Sequence, residues 1–215
     1  MLNKIIAMLE IRNATWVKNA HTTVPNFSMA APDRTLTALC GRKGCGKTAL
    51  VETLMGLRPL AKGYVSVDGE LLQPATAAFF RSRMAYVPQT LQAPGQLTAN
   101  ELLQMYADCS KRSHQTLRKD DVQQLWSALQ LDDTLWTSSF YRLSASEQRR
   151  IMLSFALGAH RSVLVADDPT GDLSDPLSHV VTRLLSQYAA LGHTVLVATS
   201  DPVLVGVAHH LVTLT

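Results

Sequence analysis

The stretch that most constrains this chain is Gly41-Arg42-Lys43-Gly44-Cys45-Gly46-Lys47-Thr48. It fits G-x-x-x-x-G-K-[ST] in full, a loop whose backbone N–H groups converge on phosphate oxygens. Glycines permit that inward turn because they carry no Cβ. The pattern demands a strand before it and a helix after it. Leu36–Cys40 is a short apolar run, and Lys47 to about Met55 reads as a helix stopped by Gly56 and Pro59. Such a helix aims its positive end at the same anion. Gly41, Arg42, Lys43, Gly44, Cys45, Gly46, Lys47 and Thr48 are therefore read as nucleotide-binding. Lys47 reaches the β- and γ-phosphates and Thr48 holds Mg²⁺. Cys45 reads as a small filler whose alkylation bound nucleotide blocks.

Strand and helix patterns alternate around that loop. Leu9–Val17 reads as a strand and Phe27–Ala30 as a short second one. Tyr64–Val67 enters a tight turn at Asp68-Gly69, and Met84–Val87 is a strand stopped by Pro88. From Leu97 to Phe140 the spacing is helical (Leu102, Leu103, Tyr106; Val122, Leu125, Trp126, Leu129), as in an insertion. A helix over Ser146–Ala159, a buried strand over Val163–Ala166 and a helix from about Pro176 to Leu191 come next. Strands over Thr194–Ala198 and Leu211–Leu214 close the chain, and the end is read as leaving no C-terminal regulatory domain. Apolar strands alternating with helices predict an α/β fold with a parallel sheet covered on both faces.

Composition excludes several classes. Hydrophobic residues at 47% and charged residues at 17% do not suit a disordered chain or a coiled coil. A net charge of +3 is too mild to argue for nucleic acid. The run Lys111-Arg112-Ser113-His114, with Arg118-Lys119, meets Asp120-Asp121 and reads as a solvated helix face. Cys40, Cys45 and Cys109 form no C-x-x-C pair, so neither a zinc site nor a disulfide framework is indicated and a reduced, cytosolic chain is expected. His21, His114, His160, His179, His193, His209 and His210 lack metal-ligand spacing, and His209-His210 reads as a solvated turn. No apolar run approaches the ~18 residues that span a bilayer. Met1–Leu9 lacks a small-residue cleavage site and reads as a lead-in to the first strand. Attachment to a membrane is expected to go through a partner.

A second acidic site follows the strand Val163–Ala166. Burying an acid is costly unless a cation or hydrogen bonds answer it. Asp167, at the strand tip, is placed to hold Mg²⁺, and Asp168 to orient an attacking water. Taken together these residues resemble the ATP-binding subunit of an ABC transporter, over nearly the whole chain. Gly41–Thr48 matches Walker A and Asp167 the Walker B aspartate. Gln89, in Tyr86-Val87-Pro88-Gln89, matches the Q-loop glutamine that senses Mg²⁺ and faces the membrane partner. Leu143-Ser144-Ala145-Ser146-Glu147 falls on the LSGGQ signature, and Pro169–Ser174 on the D-loop. Val165–Leu173 and Thr194–Thr199 are most similar to the LolD, FtsE and MacB group. The resemblance implies a P-loop ATPase core with a mainly parallel sheet and an antiparallel β subdomain. It implies one domain over 1–215, with a helical subdomain inserted at about 97–160. It also implies ATP and Mg²⁺, a permease partner at the cytoplasmic face of the inner membrane, and a head-to-tail homodimer. There Ser144 and Ser146 meet the partner's nucleotide. Gln89, Asp168 and Ser200 are the expected catalytic positions, and Thr48, Gln89 and Asp167 the metal positions.

The departures matter as much. The family's catalytic glutamate is Asp168 here and its switch histidine is Ser200. The signature glycines are Ala145 and Ser146, its glutamine is Glu147, and the D-loop aspartate is Ser174. Glu147 brings negative charge toward a phosphate, with Arg149 and Arg150 adjacent. The Ser144 hydroxyl is expected to bind γ-phosphate. The adenine contact stays open between Lys18 and Trp16. Alteration on both faces fits a homodimer with two weakened sites better than a pair with one good site. The function expected is a slowly hydrolysing transporter motor. The alternatives are a nucleotide-binding regulatory or structural subunit, and a soluble relative acting on DNA or ribosomes.

Overall fold

The computed structural model describes residues 7–19, 22–90, 96–111 and 117–214. The lead-in before Ala7, His21, residues 112–114 of the basic run and the Lys18 side chain lie outside the described residues. Two sheets form. In the first, β1 (Ala7–Asn19) pairs antiparallel with β2 (Thr22–Pro32) and with β4 (Leu60–Val67), and β5 (Glu70–Leu71) adds to β4, in the order β2-β1-β4-β5. The second sheet is wholly parallel. It runs β6 (Met84–Val87), β7 (Val163–Asp167), β8 (Thr194–Ala198), β3 (Leu36–Cys40), β9 (His210–Thr213).

The central parallel strands β7 and β8 are buried along their whole length because both faces are covered, whereas the edge strand β9 alternates half-buried and exposed residues. Alternate side chains point to opposite faces. Val163, Val165, Leu196 and Ala198 join Leu9, Ile11, Trp16, Val65, Leu50 and Leu54 in one core, between the antiparallel sheet and α1 (Lys47–Leu54). Leu164, Ala166, Val195 and Val197 join a second core with Trp126, Phe140, Ile151, Phe155 and Leu185. That core is roofed by α3 (Ala99–Lys111), α4 (Lys119–Ala128), α5 (Ala145–Gly158) and α6 (Asp175–Ala190). The segment between Leu97 and Phe140 closes on itself: Phe140 N–H donates to the Leu97 carbonyl at 2.8 Å, and Trp126 stacks on Trp136 with ring centroids 3.7 Å apart.

Several boundaries differ from the sequence reading. β2 spans eleven residues rather than Phe27–Ala30: its polar Thr22 and Thr23 pair with Asn19 and Val17 of β1, and Ser28 Oγ accepts the Asn13 N–H. β4 starts at Leu60, and α2 (Ala77–Arg83) follows a 3-10 turn capped by Gln73. α7 (Pro202–Val207) is also additional: Asp201 caps it and Pro202 opens it. Of His209-His210, only His209 lies in an exposed bend. His210 begins β9, and His209 Nδ1 accepts the Leu36 N–H at 3.1 Å while its own N–H donates to the Leu36 carbonyl.

Candidate functional site

Parallel strands bring their carboxyl ends to one edge, where ligands of open α/β sheets bind. β3 ends in the glycine-rich loop, β7 in Asp167, β8 in Ala198 before Ser200, and β6 in Val87 before Gln89. Lys43, Gly44, Gly46, Lys47, Thr48, Gln89, Asp167, Asp168 and Ser200 line one open cleft of about 680 Å³ there, with Arg58, Gly171 and Asp172. The fold therefore joins loop, carboxylates, glutamine and serine that lie up to 157 positions apart (from Lys43 to Ser200). Gly41, Arg42 and Cys45 line the loop's other side, beside Thr213 and Leu214. Ser144 and Ser146 do not line the cleft.

The start of α1 is open. Its cap is Gly46 at φ +107, a backbone that suits glycine, with no capping side chain and no acid in the first turn. The first-turn N–H groups have no intrahelical partner and face the cleft. Lys47 Nζ folds back to donate to the carbonyls of Gly41 at 2.7 Å and Arg42 at 3.4 Å. Cys45 fits the reading as a small filler. Its side chain is 8% exposed and packs in the core, so burial itself limits alkylation.

Asp167 and Asp168 are neighbours in opposite settings. Asp167 is 2% exposed, and its Oδ2 has no hydrogen-bond partner among the described residues. Burial pushes its pKa up; a hydrogen bond from Thr48 opposes this, and the charges of Asp168 and Glu52 add to it. Thr48 Oγ1 donates to Gln89 Oε1 at 3.4 Å, so three oxygen-bearing side chains meet at one point. An orphaned carboxylate oxygen beside a hydroxyl and an amide oxygen is a hard-donor set that fits Mg²⁺, which is bound through one or two carboxylates plus phosphates.

Asp168 sits at φ +50, a left-handed backbone that costs a non-glycine residue roughly 1–2 kcal/mol, least for Asp and Asn. Its N–H donates to the Ala198 carbonyl at 2.8 Å. Its carbonyl accepts from Gly171 N–H at 3.1 Å and from Arg149. The carboxylate lies over Gly171, and a Cβ there would crowd Oδ2 and require the Asp168 side chain to move. Gln89 Nε2 reaches the same oxygen at 3.5 Å. Ser200 is exposed at the cleft rim. Next to it Asp201 is fixed: burial pushes its pKa up, but hydrogen bonds from Ser178, Thr170 and the start of α7 outweigh this and hold it low.

Two candidate ligand contacts are engaged elsewhere in the fold. Trp16 is fully buried and packs edge-on to Phe27 with centroids 5.2 Å apart, so it is no stacking surface for adenine. The Ser144 hydroxyl is not free. It donates to Glu147 Oε2 at 2.7 Å, the Ser144 N–H donates to the same oxygen at 2.8 Å, and Glu147 N–H returns to Ser144 Oγ at 3.3 Å. This capping box satisfies the Ser144 and Glu147 N–H groups internally. The Ser144 bonds hold the Glu147 carboxyl below its usual range, and Arg150 adds a weaker charge. Arg150 itself donates to the carbonyls of Leu129 and Gln130, and Arg149 turns to the cleft wall. Arg58, paired with Glu52, is a cleft residue that no motif marked.

The sequence profile of the family described as "ABC transporter" matches residues 24–171. The chain is 28% identical over 189 residues to the ferric enterobactin transport ATP-binding protein FepC of Escherichia coli, covering 85% of this chain and 68% of that protein. It is 29% identical over 184 residues to the macrolide export ATP-binding/permease protein MacB of Photorhabdus laumondii, covering 82% of this chain. It is 30% identical over 203 residues to the ABC transporter ATP-binding/permease protein Rv1747 of Mycobacterium tuberculosis, covering 93% of this chain. It spans only 28% and 23% of the length of those two relatives. The fold superposes on the dimeric bacterial ABC transporter cassette MJ0796 with a TM-score of 0.83 at 19% identity, over 96% of this chain and 94% of that one.

Proposed function

The chain belongs to the ABC transporter family, and we propose that it is the ATP-binding, slowly hydrolysing subunit of a transporter whose permease is of the MacB, LolC and FtsX type. The observation that carries this is the convergence of the Gly41–Thr48 loop, Asp167, Asp168, Gln89 and Ser200 on one cleft. Relatives named as ATP-binding/permease proteins support a permease partner. Among the described residues no helix is long and apolar enough to cross a membrane, which suits a peripheral subunit at the cytoplasmic face of the inner membrane. Residues 97–160 then act as the helical subdomain that contacts the permease. Two copies close head to tail around ATP, as a homodimer.

In this reading the open N-terminus of α1 binds the phosphates through its N–H groups. Lys47 releases the Gly41 carbonyl and takes a phosphate oxygen instead. Thr48, Asp167 and Gln89 hold Mg²⁺, which when bound neutralises phosphate charge. Gln89 spans Thr48 and Asp168 and so links the metal side to the water side. Asp168 holds the attacking water through its carboxylate, and Ser200 offers a hydroxyl where the family carries an imidazole. The short Asp168 carboxylate lies back against Gly171, which favours slow turnover. The same feature favours the second reading, a subunit that binds ATP without turnover.

The test is ATP hydrolysis by the purified chain with and without its permease, beside nucleotide binding. Binding with slow, permease-stimulated turnover is expected. Binding with no turnover in either state would select the regulatory reading, and no binding would remove both.

A further inference from the structure

Behind the cleft, Arg149 on the second turn of α5 is 8% exposed. Its guanidinium reaches three targets on two segments: Nη1 donates to the Asp168 carbonyl, and Nη2 to the Gln89 carbonyl at 3.0 Å and to Asp172 Oδ2 at 2.6 Å. Its buried Nε has no hydrogen-bond partner among the described residues. An unmet buried donor is unfavourable. The side chain therefore forgoes one bond while its far end spans the cleft wall. The planar fork makes this possible, and a lysine ammonium on one flexible stem does not reproduce it.

Two of the three targets carry candidate site residues. Asp168 holds a left-handed backbone that persists only when its surroundings determine it. Ala198 and Gly171 fix that peptide from the backbone, and Arg149 is the side chain that completes the hold. Without it the peptide is freer to relax to negative φ and swing the carboxylate off Gly171. The Gln89 carbonyl is tied by the same group, so the amide that meets Thr48 is referenced to α5 as well.

We propose that Arg149 is a positioning residue: it aims Asp168 and Gln89 and makes them follow any displacement of α5. This rests on the nucleotide reading of the cleft. Arg149→Met, Arg149→Lys and Asp172→Asn are made in the full chain, and binding of a fluorescent ATP analogue is titrated in EDTA and against Mg²⁺, beside turnover at saturating ATP. In EDTA each variant should bind within a few-fold of wild type, because the loop and Lys47 are untouched. The Mg²⁺ half-saturation point should rise about tenfold in Arg149→Met, the scale at which residues supporting metal ligands act. Its turnover should fall about 10²-fold, as for a carboxylate misplaced by ~1 Å. Arg149→Lys should recover part of both, and Asp172→Asn, on the half-exposed partner, should show a smaller shift of the same sign.

An unchanged Mg²⁺ response and turnover in Arg149→Met would overturn the proposal. So would loss of EDTA binding in step with a lowered melting temperature, which marks a merely structural residue. If Arg149→Met does not fold, Asp172→Asn decides, and a wild-type response there overturns it. A wild-type chain that binds no nucleotide would sink the functional reading and this proposal together. A wild type that binds ATP and Mg²⁺ while Arg149→Met matches it sinks this proposal alone.

Discussion

The N-termini of α1 and α5 are the same kind of element prepared in opposite ways. α1 begins at Gly46 with no capping side chain and no acid in its first turn. α5 begins at Ser144 with a reciprocal capping box and Glu147 inside its first turn. The first leaves its donors for an anion; the second returns its Glu147 N–H to Ser144 Oγ and folds the Glu147 carboxylate onto the Ser144 N–H and hydroxyl. A helix start that binds phosphate forgoes the ~1 kcal/mol that a side-chain cap supplies. α1 bears that cost and α5 does not. In the proposed reading, the face that takes up nucleotide keeps an open helix start, whereas the face that meets a partner's nucleotide carries the Glu147 charge in its first turn.

The largest expected effect tests the open end. Lys47→Ala should abolish stabilisation by ATP. A ligand at a hundred times its Kd stabilises by about 2.7 kcal/mol, or roughly 5–10 °C for a chain of this size. Equal thermal shifts in wild type and variant would break the comparison at its first term.

Next comes rate. Asp168→Glu, Ser200→His and the pair should raise turnover, most in the double variant and by as much as about 10²-fold, since misplacing a carboxylate by ~1 Å costs that much. The left-handed backbone of Asp168 sets the opposing outcome, because Glu tolerates it less well. A fall in Asp168→Glu would mean that the site is built around aspartate.

A smaller effect opens α5. Glu147→Gln keeps an acceptor for Ser144 and removes the charge. Helix-terminal charges are worth about 0.3–1 kcal/mol, so ATP-induced dimers, followed by light scattering, should form at concentrations about two- to fivefold lower. No change would mean that Glu147 does not face the partner's nucleotide.

The smallest effect separates Asp167 from its neighbour. Burial raises its pKa above the unfolded value, so its contribution to stability is present at low pH and is lost as pH rises through the raised pKa. Without divalent cation, urea unfolding should show stability declining on that side. Mg²⁺ should restore it, and Asp167→Asn should flatten both dependences.

Much of this was legible in the residue order. The loop and its strand and helix are local, and a continuous apolar run such as Val163–Ala166 announces a strand covered on both faces. What escaped depends on contacts made across the chain. β2 hides its length because its outward residues are polar and its pairing is with β1. Trp16 read as a free aromatic, but strand alternation turns it into the core against Phe27. Ser144 and Glu147 stand three apart, the spacing of a capping box. Arg149, two residues from Glu147, reads as a neighbouring charge, and nothing local says that it reaches Gln89, 60 positions upstream.

The burial of Cys45 has a practical side. A thiol reacts as its anion and only where a reagent can reach it. Cys45 is buried, Cys40 is half-buried with its pKa pushed up by burial, and Cys109 on α3 is exposed. A maleimide dye therefore has one accessible native handle among the three, on a helix that does not line the nucleotide cleft. Its emission would follow α3 in the unmutated chain while the phosphate loop stays chemically untouched, and mild oxidants would reach the same helix before they reach the loop.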